Sequence, residues 1–259
     1  MNLHSKENNN TAIKPISIFS SIWYFIISSI IIFICLYKVI SVFLDKGFQF
    51  LPLYLIFFPL PFALLFVTAL ILYKREGNKW NWNDFKSRLR LNKMSKRDWL
   101  WTFGLLSFGL ITYLGLTPVG NWLVKFSFFS PPDFFPAEIN PNKTTVSGYM
   151  MDYKLAGQYW IPIAYFIGIV FNIIGEEFLW RGIILPRQIE KYQSKAWIYH
   201  GIIWTFWHFF WSWNIIVIFP YAMALSYVAY KRQNTWIPIL SHGLMNTVPL
   251  VLGIIEVLK

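Results

Sequence analysis

Long apolar stretches alternate with short polar connectors along most of the chain. An α-helix rises about 1.5 Å per residue, so about 20 apolar residues cross the roughly 30 Å hydrocarbon core of a bilayer. The pattern therefore predicts an all-α, polytopic transmembrane helical bundle of about seven spans in a single integral membrane domain, 1–259. The predicted spans fall near residues 17–36, 50–73, 99–117, 158–185, 197–211, 214–230 and 236–252.

Glycine and proline modify this pattern in three places. Residues 118–129 are apolar enough to continue the third span or to form an eighth. Three prolines between positions 52 and 61 predict a kinked or partly re-entrant start to the second span. In the fourth span Gly168, Gly175 and Gly182 recur every seventh residue and predict a smooth face that another helix approaches closely.

Composition excludes a soluble domain, because 56% of the residues are hydrophobic and only 14% are charged. The polar residues 1–15 are expected to be disordered, and the first span is expected to remain uncleaved because no clear small-residue cleavage site follows. The single Cys35 can form no internal disulfide. The partners expected from composition are the lipid bilayer and no nucleic acid, because the net charge of +11 is concentrated in the connectors.

The distribution of charge predicts the orientation. Residues 74–98 contain nine Lys and Arg against three Asp and Glu. By the positive-inside rule this connector lies in the cytoplasm, and so does the N-terminus of a multi-pass cell-membrane protein. Trp82, Phe85 and Leu89 share one side if this segment is helical, and would then rest on an anionic membrane surface. The alternative is an ordinary solvated loop.

Six of the polar residues inside the predicted spans are candidates for chemistry: Glu176, Glu177, Arg181, His208, His242 and Asn246. Charged groups at membrane depth are costly and indicate function by default. In a helix Glu177 and Arg181 share a face, whereas Glu176 lies about 100° round from Glu177, so one acid can be neutralised while the other stays free. At about 1.5 Å per residue, Glu176, His208 and Asn246 lie about 15–16 Å from the end of their span that adjoins a Lys- and Arg-rich connector. His242 lies about 10 Å from that end.

Structural interpretations of these residues remain open. His208 could be a hydrogen-bonded packing residue, His242 with Asn246 an interhelical clamp, and Glu177 with Arg181 a structural ion pair. Glu176 has no spare cation nearby in sequence and is the strongest candidate for a general base.

Three ordered motifs resemble the CPBP family of CAAX-prenyl-protease and bacteriocin-processing intramembrane proteases. The motifs are Glu176-Glu177-x-x-x-Arg181, Trp204-x-x-x-His208 and His242-x-x-x-Asn246, within a core of about residues 159–252. Trp204 departs from the family, which usually has Phe there. Both residues are aromatic, so the departure affects the pocket wall rather than the catalytic assignment.

The resemblance implies roles for these residues. Glu176 and His208 would activate a water, His242 and Asn246 would bind the oxyanion, and Glu177 with Arg181 would support the site. No cofactor is favoured. Zinc, held by Glu176, His208 and His242, is the metalloprotease alternative, although Arg181 would oppose a cation there.

The function predicted is a glutamate-type intramembrane endopeptidase acting on a peptide or protein substrate in a polar cavity open to the cytoplasm. One alternative is a non-catalytic bacteriocin-immunity or signalling protein that binds a peptide partner. Another is a small transporter with Glu176 and His208 as a proton relay, against which the absence of an evident inverted repeat counts.

Overall fold

This computed structural model describes residues 13–258, apart from the side chain at position 252. Most of the expected disorder of residues 1–15 therefore falls outside the described part of the chain. The described residues are predominantly helical, which confirms the all-α class. The helices are α1 Ile18–Ile34, α2 Ile40–Leu44, α3 Phe50–Phe57, α4 Pro59–Arg75, α5 Trp82–Arg88, α6 Lys96–Leu123, α7 Trp160–Glu177, α8 Leu185–Tyr192, α9 Ala196–Trp207, α10 Ile215–Arg232 and α11 Trp236–Val257.

Non-α segments join several of these helices. Cys35–Val39 and Phe178–Ile184 are π-helical, so α1 continues into α2 and α7 into α8 without a loop. Short 3₁₀ segments lie at Ser127–Phe129, Ala137–Ile139, Gln193–Lys195 and His208–Asn214. The strands β1, Tyr149–Met150, and β2, Tyr153–Lys154, pair antiparallel in the connector between α6 and α7.

Five continuous helical stretches of the described chain are long and apolar enough to cross a membrane, and one of them, Trp160–Arg232, has 73 residues. Such a stretch would measure about 110 Å as one helix, far more than a bilayer, so it must fold back. It turns at Gln193, whose φ is 51°, and again at Trp211, whose φ and ψ are −118° and 56°. The predicted fourth, fifth and sixth spans are therefore the three legs of this stretch.

The predicted fifth span, 197–211, is wrong in its helical length. Helix α9 ends at Trp207 after 12 residues. It rises about 18 Å, less than a hydrocarbon core, before the 3₁₀ turn begins. His208 therefore lies at the end of a helix rather than inside one.

Helices α3, α4 and α6 show the structure of two segments for which the sequence left alternatives, the start of the second span and residues 118–129. Between α3 and α4 only Phe58 intervenes, and its N–H still donates to the Tyr54 carbonyl at 3.0 Å. Phe58 keeps helical dihedrals, so the second span is one continuous helical stretch, Phe50–Arg75, and is not re-entrant. Helix α6 passes through Pro118 and ends at Leu123, so residues 118–123 continue the third span and no eighth span forms there.

The glycine face of α7 is confirmed by its neighbours. A Cβ on Gly175 would lie 2.2 Å from the Phe62 carbonyl oxygen of α4, and one on Gly168 would lie 3.1 Å from the Pro59 ring. At Gly182 the neighbour is instead the Leu89 side chain, 2.7 Å from such a Cβ. The three glycines thus pack closely against α4 and also against Leu89, which lies in the connector 74–98.

Part of the basic connector 74–98 packs onto the bundle. Leu89 is only 1% exposed, and Phe85 makes edge contacts with Tyr73 and Phe178. Thr235 donates to the Leu89 carbonyl at 2.6 Å. The predicted membrane-facing side is therefore wrong for Leu89, which is buried in protein, whereas Phe85 is partly buried and Trp82 is exposed.

Arg88 connects this connector to the segment that follows α7. Its guanidinium donates to both Glu76 carboxylate oxygens, at 2.5 and 2.7 Å, and to the Gly182 carbonyl at 2.7 Å. The next arginine along, Arg90, is half-buried, and desolvation, with the nearby charge of Arg88, lowers its pKa to about 10. Arg90 therefore remains charged at neutral pH.

Candidate active site

Glu176 is held by donors from two helices. It lies in the last turn of α7 and is 2% exposed. The Asn172 Nδ2 donates to its Oε1 at 2.8 Å, and the Trp204 Nε1 of α9 donates to its Oε2 at 3.1 Å. These bonds fix the orientation of a carboxylate that has no cation as a direct partner.

Glu177 faces a different set of partners. It is completely buried, and its Oε1 accepts from Arg181 Nη1 at 3.0 Å and from His242 Nδ1 at 2.8 Å. The Arg181 guanidinium also lies 3.8 Å from the centre of the Trp204 ring, a cation–π contact. The predicted ion pair of Glu177 and Arg181 is present. Its extension to α11 through His242 is not apparent in the sequence.

The π-helical segment after Glu177 sets the surroundings of Arg181. Such segments contain an extra residue per turn and are frequent at functional sites. Every residue from Gly175 to Pro186 is buried. Arg181 is therefore enclosed with Glu177, and among the described residues its Nε and Nη2 have no hydrogen-bond acceptor. The positive charge of Arg181 contacts one carboxylate oxygen of Glu177 and the indole face of Trp204.

His208 is oriented by the backbone of its own helix. Its Nδ1 lies 2.9 Å from the Trp204 carbonyl oxygen. A carbonyl only accepts, so Nδ1 carries the hydrogen and the neutral ring keeps a lone pair on Nε2. The rings of Trp204 and Trp207 meet the imidazole edge-on, both with centroids 4.8 Å away.

Helix α11 contributes Asn246 and, one turn earlier, His242. The Asn246 Nδ2 donates to the Asn172 Oδ1 at 2.8 Å. Asn172 therefore bridges Glu176 and Asn246, and it was not predicted from the sequence. A signal was available, because Asn172 is a polar residue in an apolar run and precedes Glu176 by four positions.

One cavity of about 640 Å³ brings the predicted catalytic residues together. Glu176, His208, His242 and Asn246 all line it, as does Asn172. Glu177 and Arg181 do not line the cavity and lie behind it. The sequence placed these groups at similar depths, and packing places the four predicted catalytic residues around one space.

The cavity lies in the half of the bundle away from the basic connectors. Its lining extends to Asn121, to residues 137–141 and to Asn214, and it includes no residue of 74–98, 186–196 or 231–235. The basic connectors thus contribute nothing to this cavity's wall, and the predicted opening towards the cytoplasm stays a prediction. On the basic side the connector 74–98 packs against Gly182 through Leu89 and Arg88.

The alternative zinc site does not fit the residues present. Among the described residues, no three His, Cys, Asp or Glu side chains are placed to hold one ion. No step of the chemistry below is assigned to a metal.

Fold and cavity together define a polytopic helical membrane protein with an acid-lined polar site. Residues 158–248 match the family model described as type II CAAX prenyl endopeptidase Rce1-like. The matched segment contains all three motifs and confirms the family resemblance of this part of the chain. No curated protein and no solved structure matches. Residues 158–248, about a third of the chain, are thus similar to CAAX-type membrane proteases.

Proposed function

We propose that this protein hydrolyses a peptide bond with a water activated by Glu176 together with His208. The observation that supports this most directly is the presence of Glu176, His208, His242 and Asn246 around one cavity. A carboxylate and an imidazole that reach the same water form a general base that can later return a proton. The family match supports the same reaction class.

In the first step Glu176 takes a proton from the water, and the resulting hydroxide attacks the carbonyl carbon of the scissile bond. The carbonyl π electrons move to oxygen and give a tetrahedral oxyanion. When this intermediate collapses, the carbon–nitrogen bond breaks. The proton passes through Glu176 and His208 to the leaving amine. The free Nε2 lone pair of neutral His208 suits this transfer.

The oxyanion is stabilised by donors from α11. One amide hydrogen of Asn246 is used by Asn172, and the second remains for the oxyanion. The His242 Nδ1 donates to Glu177, so its Nε2 can donate only when the ring is an imidazolium. Preoriented donors of this kind act strongly where water is scarce.

Substrate must reach the site with an extended backbone. A helix hides its carbonyls in internal hydrogen bonds, so a helical substrate would have to unwind locally. The cavity wall carries polar groups that can receive a freed backbone, among them Asn121, Asn140 and Asn214. No covalent intermediate is required.

The test uses purified protein in liposomes with three substrates: a farnesylated quenched peptide ending in a CAAX sequence, its unprenylated counterpart, and a membrane-peptide mixture read by mass spectrometry for new termini. We expect cleavage of at least one substrate, loss of cleavage in Glu176→Ala and in His208→Ala, and no inhibition by a zinc chelator. Thr112→Val on α6 is the control, since its hydroxyl bonds only to its own helix and lies outside the cavity. Full cleavage by either test variant would refute the role of that residue. Binding without cleavage would favour the peptide-binding alternative.

A further inference from the structure

A second cavity, of about 690 Å³, lies between α1 and α4. It shares no lining residue with the cavity at Glu176. Trp23, Ile27 and Leu64 line it and are each more than half exposed, so the cavity opens on the outer surface of the bundle. We call it the α1–α4 groove.

The apolar part of this groove has the length of one acyl chain. On α1 the lining runs from Ser20 to Ile31, which is a rise of about 17 Å. One leaflet contributes about 15 Å of the hydrocarbon core of a bilayer. The Ile16 N–H donates to the Arg187 carbonyl at 3.1 Å, so α1 begins beside the basic connector 186–196. The groove thus matches a hydrocarbon chain of the leaflet next to the basic connectors.

Arg187 lines the groove at the end where α1 begins. Its side chain is 16% exposed, and its Nε donates to the Lys14 carbonyl at 3.0 Å. Among the described residues, its Nη1 and Nη2 have no hydrogen-bond acceptor. The Glu76 carboxylate lies 4.0 Å from the Arg187 Nε, and both oxygens of this carboxylate already accept from Arg88. Arg187 therefore keeps donors for an anionic ligand.

Two hydroxyl groups lie at the same end of the groove. Ser17 and Ser20 both line it, and their Oγ atoms are 2.7 Å apart. One hydroxyl hydrogen is enough for the bond between them, so the other can donate to a ligand. A guanidinium and a hydroxyl together form charge-assisted and neutral hydrogen bonds to a phosphate group. The groove is thus polar and cationic at one end and apolar along the rest of its length.

We propose that the α1–α4 groove binds one anionic phospholipid, with its phosphate on Arg187 and one acyl chain between α1 and α4. Basic pockets between transmembrane helices recognise anionic head groups in this way. Arg88 and Arg187 against Glu76 leave one net positive charge at the polar end, which favours an anionic over a zwitterionic head group. This inference is independent of the proposed hydrolysis at Glu176.

Native mass spectrometry of the full chain tests the proposal. Purified protein in detergent is incubated with equimolar phosphatidylglycerol and phosphatidylcholine that have the same acyl chains. The test variants are Arg187→Gln, which removes the charge, and Leu64→Trp, which fills the groove. The matched controls are Lys191→Gln, which removes a charge from α8 outside the groove, and Ile71→Trp, at an exposed position of α4 outside it.

We expect the wild type and both controls to bind one phosphatidylglycerol, in excess over phosphatidylcholine. Arg187→Gln should retain about tenfold less phosphatidylglycerol, because a charge-assisted hydrogen bond is lost, and Leu64→Trp should retain neither lipid. Equal binding of the two lipids, equal binding by wild type and Arg187→Gln, or an equal loss in Lys191→Gln would overturn the proposal. So would a lipid-free mass of two chains, because a second copy of the chain would then cover the groove.

Thermal unfolding provides a second measurement. Arg187 also bonds to the Lys14 carbonyl, so Arg187→Gln can unfold at a lower temperature without any effect of lipid. The quantity compared is therefore the rise in melting temperature on adding phosphatidylglycerol, since a ligand stabilises the folded form that binds it. We expect this rise in the wild type and both controls, and not in Arg187→Gln or Leu64→Trp. The same rise in Leu64→Trp as in the wild type would contradict binding in the groove.

Discussion

The two halves of the bundle differ in how they use polar groups. In the half near the basic connectors, ion pairs of Arg88 with Glu76 and of Arg232 with Asp98 join connector residues to one another. In the other half, polar side chains surround a cavity of about 640 Å³. Glu176 lines this cavity. Glu177 does not line it and is completely buried behind it. Neighbouring identical residues thus have different tasks because they face different surroundings.

The largest effect is expected on the cavity side, from Glu176→Gln. The amide is a far weaker base, so we expect turnover to fall by about 10³-fold, within the range for loss of a general base. The melting temperature in detergent should change little, since the side chain keeps its shape. Initial rates and thermal unfolding measured on the same preparation check both points. Retained turnover would mean that the cavity acid is not the base.

Glu177→Gln tests the buried ion pair of Glu177 with Arg181. Removing one partner of a buried ion pair leaves the other charge uncompensated, which typically costs about 3–5 kcal/mol. We expect loss of stability and of activity together, because Glu177 binds both Arg181 and His242. The double variant Glu177→Gln/Arg181→Met should be less destabilised than the single one. If the single variant were as stable and as active as wild type, the division between the two glutamates would not hold.

Gly175→Ala tests the contact between α7 and α4. The added Cβ would meet the Phe62 carbonyl oxygen at 2.2 Å, where only a backbone shift can make room. Overpacking of this kind costs about 1–3 kcal/mol. Gly168→Ala is the matched control, since its Cβ would meet the Pro59 ring at 3.1 Å, and its loss in thermal stability should be smaller. Equal stability losses would mean that the backbone contact at Gly175 restricts an added Cβ no more than the contact with the Pro59 ring at Gly168 does.

The smallest effect is expected from Asn172→Ala. It removes the bridge between Glu176 and Asn246, and one hydrogen bond of about 1.4 kcal/mol corresponds to roughly a tenfold loss of rate. We expect kcat to fall while KM stays nearly constant, because both partners act on the reacting atoms rather than on substrate binding. Asn172→Asp, which keeps the acceptor for Asn246 but loses the donor to Glu176, should not restore kcat. An effect on KM alone would contradict this positioning role.

The sequence by itself determined the features that depend on local composition and spacing. Apolar length predicted the helical bundle, and the seven-residue glycine repeat predicted the close-packed face of α7. The cost of charge inside a membrane drew attention to Glu176, Glu177 and Arg181. A spacing of four residues was enough to predict the pair of Glu177 with Arg181, since it depends on one helix alone.

Only the tertiary structure decided the relations between helices. The bonds of His242 to Glu177 and of Trp204 to Glu176 join residues 65 and 28 positions apart, and no periodicity within one helix specifies them. Asn172 can bridge Glu176 and Asn246 only because the packing of α11 against α7 places Asn246 beside it. Charge predicts the side on which the connector 74–98 lies, but only the packing of Leu89 and Arg88 against Gly182 shows what this connector covers.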